Sequence, residues 1–475
     1  MFIKFMKKFY ITTTLPYVND KPHIGFALEI IEADVMARFH RQRGDEVFFN
    51  TGTDEHGLKI FRNAEEVGVP VQKYCDDNAT EFVKLKETLN LSIDNFIRTT
   101  DANHLKAAQD FWKKCEANGD IYKKLYKIKY CVGCELEKTD SELIDGKCPL
   151  HPNMEVEIIE EENYFFKFSK YQKQLIDLYA KNPEFVLPKK RFNEIRNFVE
   201  KGLEDFSISR LKNKMPWGVE VPNNPDHVMY VWFDALVNYI SAIGWPEDME
   251  KFNNWWPVVQ LAGKDNLRQQ SAMWQAMLMS AGIAPSKQIF INGFVGVNGQ
   301  KMSKSLGNVI SPFEMIEKFG IDGTRYLILS FGNFGEDTDV SWGKFVEKYN
   351  ADLANGLGNL VSRVVKLGEN LNPDEKQEDT KVPEDLATLI EKMEFGKALE
   401  FIWSIVREAN KFIEDNKPWE LAKNNEAKFK EVMKKLTLDL YAISELLIPF
   451  LPETSEKIKK ALETKKAEPL FQRIK

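Results

Sequence analysis

Apolar segments with the period of a strand alternate with segments that have the period of a helix, and this alternation constrains the fold most strongly. Residues 9–13 and 47–49 are β-branched or aromatic, as is typical of strands. Between them, the apolar residues of 28–39 recur at intervals of three and four, which indicates one face of a helix. The alternation resumes over 228–233 and 258–262. Strands joined through helices lie parallel, so the sequence predicts an α/β fold whose ligands bind beyond the carboxyl ends of the strands.

The composition excludes several classes of protein. Lys and Arg total 65 against 72 for Asp and Glu, a net charge of -7, which excludes binding of nucleic acid by bulk charge but allows a local basic groove. At roughly 100–200 residues per domain, 475 residues predict two to four domains. No apolar run approaches the ~20 residues of a membrane span, and residues 1–10 do not resemble a signal peptide. Three of the five cysteines crowd one stretch, which favours metal binding in a reducing compartment, so we expect a cytoplasmic protein.

Two short motifs far apart in the chain favour phosphate chemistry. Pro22-His23-Ile24-Gly25 lies between a strand and a helix, where backbone N–H groups and an imidazole can bind an anion and Gly25 allows close approach. Lys301-Met302-Ser303-Lys304-Ser305 follows Asn298-Gly299, a strong hairpin turn. Mobile lysines on such a loop suit a charge that appears only in a transition state. Each motif alone is weak, because a turn histidine is usually structural and a lysine pair is usually solvated.

The crowded cysteines have the spacing of a metal site. Cys131 and Cys134 form one pair, thirteen residues follow, and Cys148 and His151 form a second pair. Two chelating pairs joined by a short loop suit tetrahedral Zn²⁺, and four protein ligands leave no open position, so the metal is expected to be structural. The alternative is a metal-free knuckle held by packing.

The pairing of the two phosphate motifs resembles the two signatures of class I aminoacyl-tRNA synthetases. Further segments are similar to the methionyl-tRNA synthetase family: Leu15-Pro16-Tyr17-Val18-Asn19, Thr51-Gly52-Thr53-Asp54-Glu55-His56-Gly57, Ser207-Ile208-Ser209-Arg210, Tyr230-Val231-Trp232-Phe233-Asp234-Ala235, Gly263-Lys264-Asp265, Asn359-Leu360-Val361-Ser362-Arg363 and Asn416-Lys417-Pro418-Trp419. The resemblance covers nearly the whole chain, in order.

The resemblance implies an α/β architecture, a class I synthetase Rossmann-type parallel sheet with a zinc-knuckle insert, followed by an all-α helical bundle. The expected divisions are a first catalytic half at 1–119, a connective insert at 120–214 with its knuckle at about 127–155, a second catalytic half with the KMSKS loop at 215–325, a stem-contact linker at 326–345 and an anticodon-binding bundle at 346–475.

The reaction that the resemblance implies is ATP-dependent ligation of L-methionine to its tRNA through methionyl-adenylate, with release of AMP and pyrophosphate. A carboxylate nucleophile needs no general base, so catalysis reduces to positioning and neutralisation of phosphate charge. The expected cofactors are ATP with Mg²⁺ and one structural Zn²⁺. The expected partners are tRNA(Met) and initiator tRNA, with no membrane. Because the sequence ends after the bundle, we expect a monomer.

The resemblance also assigns roles to individual residues. The nucleotide is expected to contact His23, Gly25, Gly263, Lys264, Asp265, Lys301, Ser303 and Lys304, and catalysis to use His23, Lys301, Lys304, Asp54 and Arg210. The methionine pocket is expected to comprise Leu15, Tyr17, Asp54, Trp232, Ala235, Tyr239 and Gln270, and the anticodon site Asn359, Arg363 and Trp419. Structural alternatives remain open: a helix N-cap for Asp54, an ion pair for Arg210, a loop charge pair for Lys264 and Asp265, and a cap, salt bridge or core position for the anticodon residues.

Several positions depart from the family pattern. Phe26 stands where the first signature usually has His, and Asn266, Gln269 and Gln270 replace an apolar residue and a Phe-His pair. Gln260 also stands where His is common. These departures predict a more polar methionine pocket with weaker selectivity, and they leave the rate of adenylation open.

Three other functions compete with this interpretation. A synthetase for leucine, valine or isoleucine needs a large editing insert, and the insert here is too short. A non-catalytic tRNA-binding paralogue would explain Phe26 and Gln270, but His23, Asp54 and the loop lysines are intact. A small-molecule nucleotidyltransferase would have no use for the long helical C-terminal part.

Overall fold

The computed structural model describes residues 7–19, 21–302, 307–371, 381–466 and 468–475, so the expectations for Ser303 and Lys304 lie outside the described residues. The strands are, in chain order, β1 (Lys8–Thr12), β2 (Glu46–Thr53), β3 (Asn95–Arg98), β4 (Ile121–Cys131), β5 (Leu136–Lys138), β6 (Glu157–Phe166), β7 (Val186–Leu187), β8 (Phe206–Ser207), β9 (Ser209–Leu211), β10 (Glu220–Val221), β11 (Asn224–Met229), β12 (Val259–Gly263), β13 (Gln288–Asn292), β14 (Val295–Val297), β15 (Gln300–Lys301) and β16 (Thr338–Val340).

The helices complete this framework. They are α1 (Ile24–Gln42), α2 (Leu58–Glu66), α3 (Val71–Thr88), α4 (Ala102–Ala117), α5 (Gln172–Lys181), α6 (Lys189–Glu200), α7 (Val231–Ala235), α8 (Asn238–Ser241), α9 (Met249–Trp255), α10 (Trp274–Ser280), α11 (Pro312–Ser330, interrupted at Gly320), α12 (Trp342–Lys348), α13 (Asn359–Leu367), α14 (Glu384–Glu391), α15 (Phe395–Asn416), α16 (Pro418–Asn424), α17 (Glu426–Leu447) and α18 (Pro452–Thr464). Two π-helical segments, Gln269–Met273 and Tyr349–Gly358, extend α10 and α13 at their N-terminal ends.

A six-stranded parallel sheet in the order β3-β2-β1-β12-β13-β7 forms the centre of the N-terminal part. This confirms the expected α/β fold. Helix α1 covers the sheet with a stripe in which Ile31, Val35 and Phe39 are buried, as the spacing predicts. Since parallel strands end at one edge, the loops after β1, β2 and β12 meet there and can form a ligand site.

The expectation of a sheet strand at 228–233 is wrong. Strand β11 ends at Met229 and pairs antiparallel with β9 and β10, and residues 231–235 form the short helix α7. Instead, the sheet gains its edge strand β7 from within the range predicted as an insert. Apolar runs this short do not distinguish a buried strand from a buried helix, which explains the error.

An antiparallel sheet in the order β5-β4-β6-β8 carries the cysteine cluster at the end of its long hairpin. Lysines of β4 face glutamates of β6: Lys127 Nζ lies 3.8 Å from Glu160 Oε2, and Lys123 Nζ lies 3.6 Å from Glu162 Oε2. These exposed pairs contribute little stability but keep the two strands in register.

The C-terminal part is helical, as expected, and packs against the sheet domain. Arg325 of α11 is fully buried at this junction. Its guanidinium donates to the backbone oxygens of Leu89, Pro449 and Phe450 and pairs with Asp34 of α1 at 2.8 Å. One side chain therefore joins α1, the end of α3 and the connection between α17 and α18. Among the described residues, no helix combines the length and apolar character needed to cross a membrane.

Candidate active site, metal centre and nucleic-acid surface

The structure brings the two phosphate motifs together. His23 is the N-cap of α1, and its Nδ1 accepts a hydrogen bond from the Gly25 backbone N–H at 3.0 Å. The Ile24 backbone N–H donates to the Ile310 carbonyl, just after the lysine loop, at 3.0 Å. A Cβ at residue 25 would lie 2.9 Å from the His23 ring and 3.6 Å from the Met302 methyl group, so any larger residue would displace the His23 ring. The N-terminus of α1 therefore faces the loop that begins at Lys301.

Two lysines from different segments meet beside this helix start. Lys264, after β12, and Lys301, at the end of β15, lie over the same Phe294 ring, with Nζ at 4.2 Å and 5.0 Å from its centroid. Both attract the Asp265 carboxylate electrostatically. Lys264 Nζ also pairs with Asp337 Oδ2 at 2.6 Å, whereas the loop charge-pair alternative predicts Asp265 as its partner. The result is a cluster of two lysines and two aspartates beside the start of α1.

Gly263 leaves room for this cluster, because a Cβ there would lie 2.6 Å from Asp265 Oδ1.

Sequence reasoning missed Glu29, an acidic residue of α1. Glu29 is buried and accepts hydrogen bonds at 2.6 Å from the backbone N–H and the hydroxyl of Thr14. Burial raises the pKa of Glu29 to about 7. Its signal in the sequence is an acid within the apolar stripe of α1, a position that a helix normally gives to a core residue.

Asp54 lies at the exit of β2 and is buried. The segment after β1 runs beside it: Asp54 N–H donates to the Pro16 carbonyl at 2.9 Å, and Val18 N–H donates to the Asp54 carbonyl at 3.2 Å. The N-cap of α2 is Gly57, so the alternative of Asp54 as a helix cap is wrong. Burial, and next the charge of Asp234, raise the pKa of Asp54 well above its usual value. The His56 backbone N–H interacts with this carboxyl group but Oδ1 has no partner among the described residues, so an incoming cation would stabilise its charge.

Three polar atoms in this region have no hydrogen-bond partner among the described residues: Asp54 Oδ1, the Tyr17 hydroxyl and Trp232 Nε1. The Tyr17 and Trp232 rings form an edge-to-face pair with centroids 6.5 Å apart. Ala235 follows in α7 and is buried, and Leu15 is half-buried in the loop after β1. A buried donor or acceptor without a partner is costly, so the arrangement is typical of a site completed by a ligand.

Tyr239 and Gln270 belong to one buried chain of side-chain hydrogen bonds, the amide chain, which the amides of Gln260 and Gln270 connect. Gln270 donates from Nε2 to the Tyr239 hydroxyl at 2.5 Å and accepts at Oε1 from Gln260 Nε2 at 3.2 Å. Gln260 in turn accepts from the Ser286 hydroxyl at 2.6 Å. The departures at 260 and 270 are therefore complementary, since each amide pairs with the other. Phe26 lies away from the cleft, edge-to-face on Phe82 in the core with centroids 5.5 Å apart.

Arg210 is buried, so the alternative of a surface ion pair is wrong. Its Nη1 donates to the Ser207 hydroxyl at 2.7 Å and to the Ser209 carbonyl at 2.8 Å. The guanidinium also lies over the Tyr230 ring at 4.6 Å. These contacts hold Arg210 within the range predicted as the insert and against Tyr230, and none of them involves the start of α1.

The four expected metal ligands converge. Cys131, Cys134, Cys148 and His151 each offer an atom within 4.8 Å of the others, with Cys134 Sγ at 3.4 Å from Cys148 Sγ and 3.1 Å from His151 Nδ1. A hydrogen bond from Cys134 holds the pKa of the Cys131 thiol well below its usual value. A Cβ at Gly133 would lie 2.5 Å from the His151 ring, so the knuckle needs glycine there. The soft sulfur and imidazole donors fit a tetrahedral metal site.

The expected anticodon residues share one surface of the helical part. Asn359 begins α13 and is exposed, and Arg363 follows one turn later. The Arg363 guanidinium lies 5.8 Å from the centre of the Trp419 ring and pairs with Glu414 Oε1 at 2.7 Å. Trp419 is 38% exposed, so it is not a core residue. An exposed aromatic beside an arginine is a suitable stacking platform for a base.

Comparison with known proteins agrees with this geometry. Residues 9–155 and 153–365 match the family model of tRNA synthetases class I (M), and residues 367–472 match that of the anticodon binding domain of methionyl tRNA ligase. The methionine–tRNA ligase of Synechocystis sp. is 42% identical over 95% of this chain and 88% of its own length. The enzyme of Thermotoga maritima is 41% identical over 95% of this chain and 74% of its own length.

A solved structure is also similar to this chain. The methionyl-tRNA synthetase of Mycobacterium tuberculosis, in complex with methionyl-adenylate, matches with a TM-score of 0.89 and 38% identity, over 96% of this chain and 93% of that one. The family models together span most of the sequence, and the relatives exceed 40% identity over nearly all of it. The chain therefore belongs to the methionyl-tRNA synthetase family of class I tRNA synthetases.

Proposed function

We propose that this cleft activates L-methionine with ATP and then charges tRNA with the methionyl group. The observation that carries the proposal is the contact of the α1 N-terminus with the segment after β15, through Ile24 and Ile310, together with the buried Asp54 at the exit of β2. The methionine carboxylate attacks the α-phosphorus of ATP and pyrophosphate leaves. A tRNA ribose hydroxyl then attacks the adenylate carbonyl and AMP leaves. Family membership supports both steps.

Asp54 is proposed to hold the α-ammonium group of methionine. Its Oδ1 lacks a partner among the described residues, and an ammonium would supply both a donor and the opposite charge that a buried carboxylate needs. Tyr17 and Trp232 would border the side chain with Leu15, Ala235 and Tyr239. Gln270 would act through Tyr239, because its amide is occupied by the Tyr239 hydroxyl and Gln260.

His23, Lys301 and Lys304 are proposed to neutralise the phosphate charge that grows in the transition state. Gly25 and Gly263 leave room for the nucleotide, and Lys264, Asp265 and Ser303 would contact it. Mg²⁺ would accompany ATP and shield its phosphates. Arg210 remains a catalytic proposal, although its contacts favour an indirect role that orders the insert above the cleft.

Lys304→Ala tests the phosphate assignment. An interaction made only in the transition state affects kcat and kcat/KM together and leaves ground-state binding unchanged. Single-turnover adenylation is therefore expected to fall at least tenfold more than methionine binding. Adenylation at the wild-type rate would refute the role of the loop.

The cysteine cluster is proposed to hold one structural Zn²⁺, since sulfur and imidazole ligands suit zinc and all four positions are protein atoms. Asn359, Arg363 and Trp419 are proposed to read the anticodon. A site that reads the anticodon would accept initiator as well as elongator tRNA. We also propose that the protein acts as a monomer and that it acts in the cytoplasm. Light scattering after gel filtration tests whether it is a monomer.

ATP–pyrophosphate exchange with each standard amino acid is the experiment that tests the function. Methionine should support exchange best, and charging of tRNA(Met) should follow on addition of tRNA. A best substrate other than methionine would overturn the proposal, and so would exchange that never leads to charging.

A further inference from the structure

A buried carboxylate beneath the methionine pocket is held from both sides by imidazoles. His56 Nδ1 donates to Asp234 Oδ2 at 2.6 Å, and His104 Nε2 donates to Asp234 Oδ1 at 2.8 Å. Ser241 Oγ lies 3.0 Å from the other nitrogen of His104. All four side chains are buried and come from separate elements: the loop after β2, α7, α4 and α8. The reaction described above uses none of them.

His56 connects this cluster to Asp54. The ring of His56 is bonded to Asp234, while its backbone N–H interacts with the Asp54 carboxylate two residues earlier. Burial would raise the pKa of Asp234, but the charge of His56 and the hydrogen bond from His104 outweigh it and lower the pKa. Asp234 is thus kept as an anion, and its charge is the largest influence on Asp54 after burial itself.

We propose that Asp234, held between His56 and His104, is a positioning residue for the substrate ammonium and acts on it through Asp54. In the empty site, the neighbouring anion and the lack of solvent favour the protonated form of Asp54. When the ammonium enters, Asp54 gives its proton to the solvent buffer and becomes the counter-ion. The balance is one ammonium bound for one proton released, with no change in the charge of Asp234.

Other titratable groups also face Asp54. They are Glu55 beside it, Glu135 of the insert, Tyr17 after β1, Cys75 of α3 and Tyr239 of α8. Glu55 is neutralised by Arg98 at 2.6 Å, and Glu135 is attracted by Arg210 and Lys59. Asp234 differs from these groups because two imidazoles stabilise its charge, and that charge raises the pKa of Asp54 more than any other neighbouring charge does. Removing Asp234 should therefore produce a measurable change in the protonation of Asp54.

Proton release by the wild-type, metal-loaded chain is the first test. Methionine binding is measured by calorimetry in two buffers of different ionisation enthalpy, across the neutral range of pH. We expect net proton release that falls toward zero as the pH rises through the pKa of Asp54. Methioninol, which keeps the ammonium but lacks the carboxylate, should release as many protons. No release with either ligand at any pH would overturn the proposal.

Neutral variants then test Asp234 itself. Asp234→Asn and Asp234→Ser both remove the charge and keep groups that can bond to an imidazole, so either one that folds decides the matter. Each should release fewer protons per methionine, and the acid limb of kcat/KM for methionine should move to lower pH by about one unit, the effect of one neighbouring carboxylate. A merely structural role would not move this limb. If the number of protons released and the acid limb of kcat/KM are both identical to those of the wild type, the proposal is refuted.

Asp322→Asn is the matched control, because Asp322 is an equally buried carboxylate that bonds instead to the Thr454 backbone N–H at 2.6 Å. It should leave proton release unchanged. The inference rests on the proposed contact of Asp54 with the ammonium, which Asp54→Asn tests separately. If Asp54→Asn binds methionine as tightly as wild type, that contact fails. If it binds weakly while the Asp234 variants behave as wild type, only the role of Asp234 fails.

Discussion

Buried polar side chains at the cleft carry the functional information at the residue scale. A buried donor or acceptor without a partner costs about 1–3 kcal/mol, yet Asp54, Tyr17 and Trp232 each have such an atom within the part of the chain that the structure describes. By contrast, the amides of Gln260 and Gln270 are paired with each other and with their neighbours. Within the cleft, the three unpaired atoms are available to a ligand, whereas the paired amides shape the site around it.

Glu32 should make stability depend on pH. It is buried on α1 and accepts from Asn292 Nδ2, and burial raises its pKa from 4.5 to about 8. Because the folded state binds this proton more tightly than the unfolded state does, its stabilising contribution is complete below pH 4.5 and is lost as the pH rises through about 8. Glu32→Gln keeps an acceptor for Asn292 and should flatten the decline in the free energy of unfolding between these values.

Urea unfolding at a series of pH values measures this effect. Glu46→Gln, at an exposed position of β2, is the control and should leave the profile of the wild type unchanged. Parallel pH profiles for Glu32→Gln and wild type would show that Glu32 is charged in the folded protein at neutral pH.

Gln270→Leu should break the amide chain while nearly preserving side-chain volume. The Tyr239 hydroxyl and the Gln260 amide would each lose a partner, so we expect a loss of about 1–3 kcal/mol in stability. The loss of a positioned Tyr239 should also lower the preference for methionine over norleucine in pyrophosphate exchange. Gln288→Leu, which removes a single exposed hydrogen bond to the Glu184 carbonyl, should change stability by less than about 0.5 kcal/mol. Equal effects of the two variants would contradict the assignment.

At the scale of elements, short segments between regular elements position the chemistry. The start of α1 faces the loop after β15 because the Ile24 N–H, which no helical carbonyl can accept, bonds to Ile310. In the knuckle between β4 and β6, the apolar side chains of Ile144, Leu150 and Met154 are exposed and form no core, so its geometry depends on the metal ligands and on Gly133. Each segment can be tested without disturbing the sheet.

Metal removal should loosen the knuckle and leave the sheet domain folded. We expect about one zinc per chain from the four-ligand set. Cys131→Ala should reduce the metal content and increase hydrogen exchange in β4 and β6, since binding and local folding are coupled. Cys115→Ala, which removes a buried thiol of α4 that does not belong to the four-residue cluster, should keep the zinc. A metal-free Cys131→Ala protein with unchanged exchange in the insert would refute a structural role.

At the scale of the whole molecule, the catalytic and helical parts are joined through buried contacts. Arg325 contributes hydrogen bonds to three backbone carbonyls and an ion pair with Asp34 at 2.8 Å. This junction fixes the direction of the bundle relative to the cleft. An enzyme that binds an anticodon and an acceptor end at the same time needs such a fixed distance.

Arg325→Met should destabilise the junction strongly. The three backbone carbonyls that Arg325 contacts would lose their donor, at about 1–3 kcal/mol for each buried group left unsatisfied. Asp34 would keep its ion pair with Arg38 at 2.8 Å. Aminoacylation of tRNA should fall more than pyrophosphate exchange, because exchange needs the cleft alone. Arg62→Met, which removes an exposed pair with Glu157, should cost less than about 1 kcal/mol. Equal losses in exchange and aminoacylation would mean that Arg325 does not govern the domain arrangement.

The sequence by itself determined the features that depend on local spacing. The period of α1, the hairpin at Asn298-Gly299, the metal-ligand pairs and the two phosphate motifs follow from neighbouring residues, and the structure has the first three of these as predicted. It also brings the described parts of both phosphate motifs together. Local propensity and ligand spacing act over a few residues, so one sequence is enough to read them.

Only the tertiary structure decided which distant residues meet. Asp54 and Asp234 influence each other across 180 positions of sequence, and Phe26 lies in the core rather than in the cleft. Residues 231–235 form a helix where the pattern predicted a strand, and the edge strand Val186–Leu187 comes from the range predicted as an insert. In each case the outcome depends on burial against segments far away in the chain, and no periodicity within the sequence records that packing.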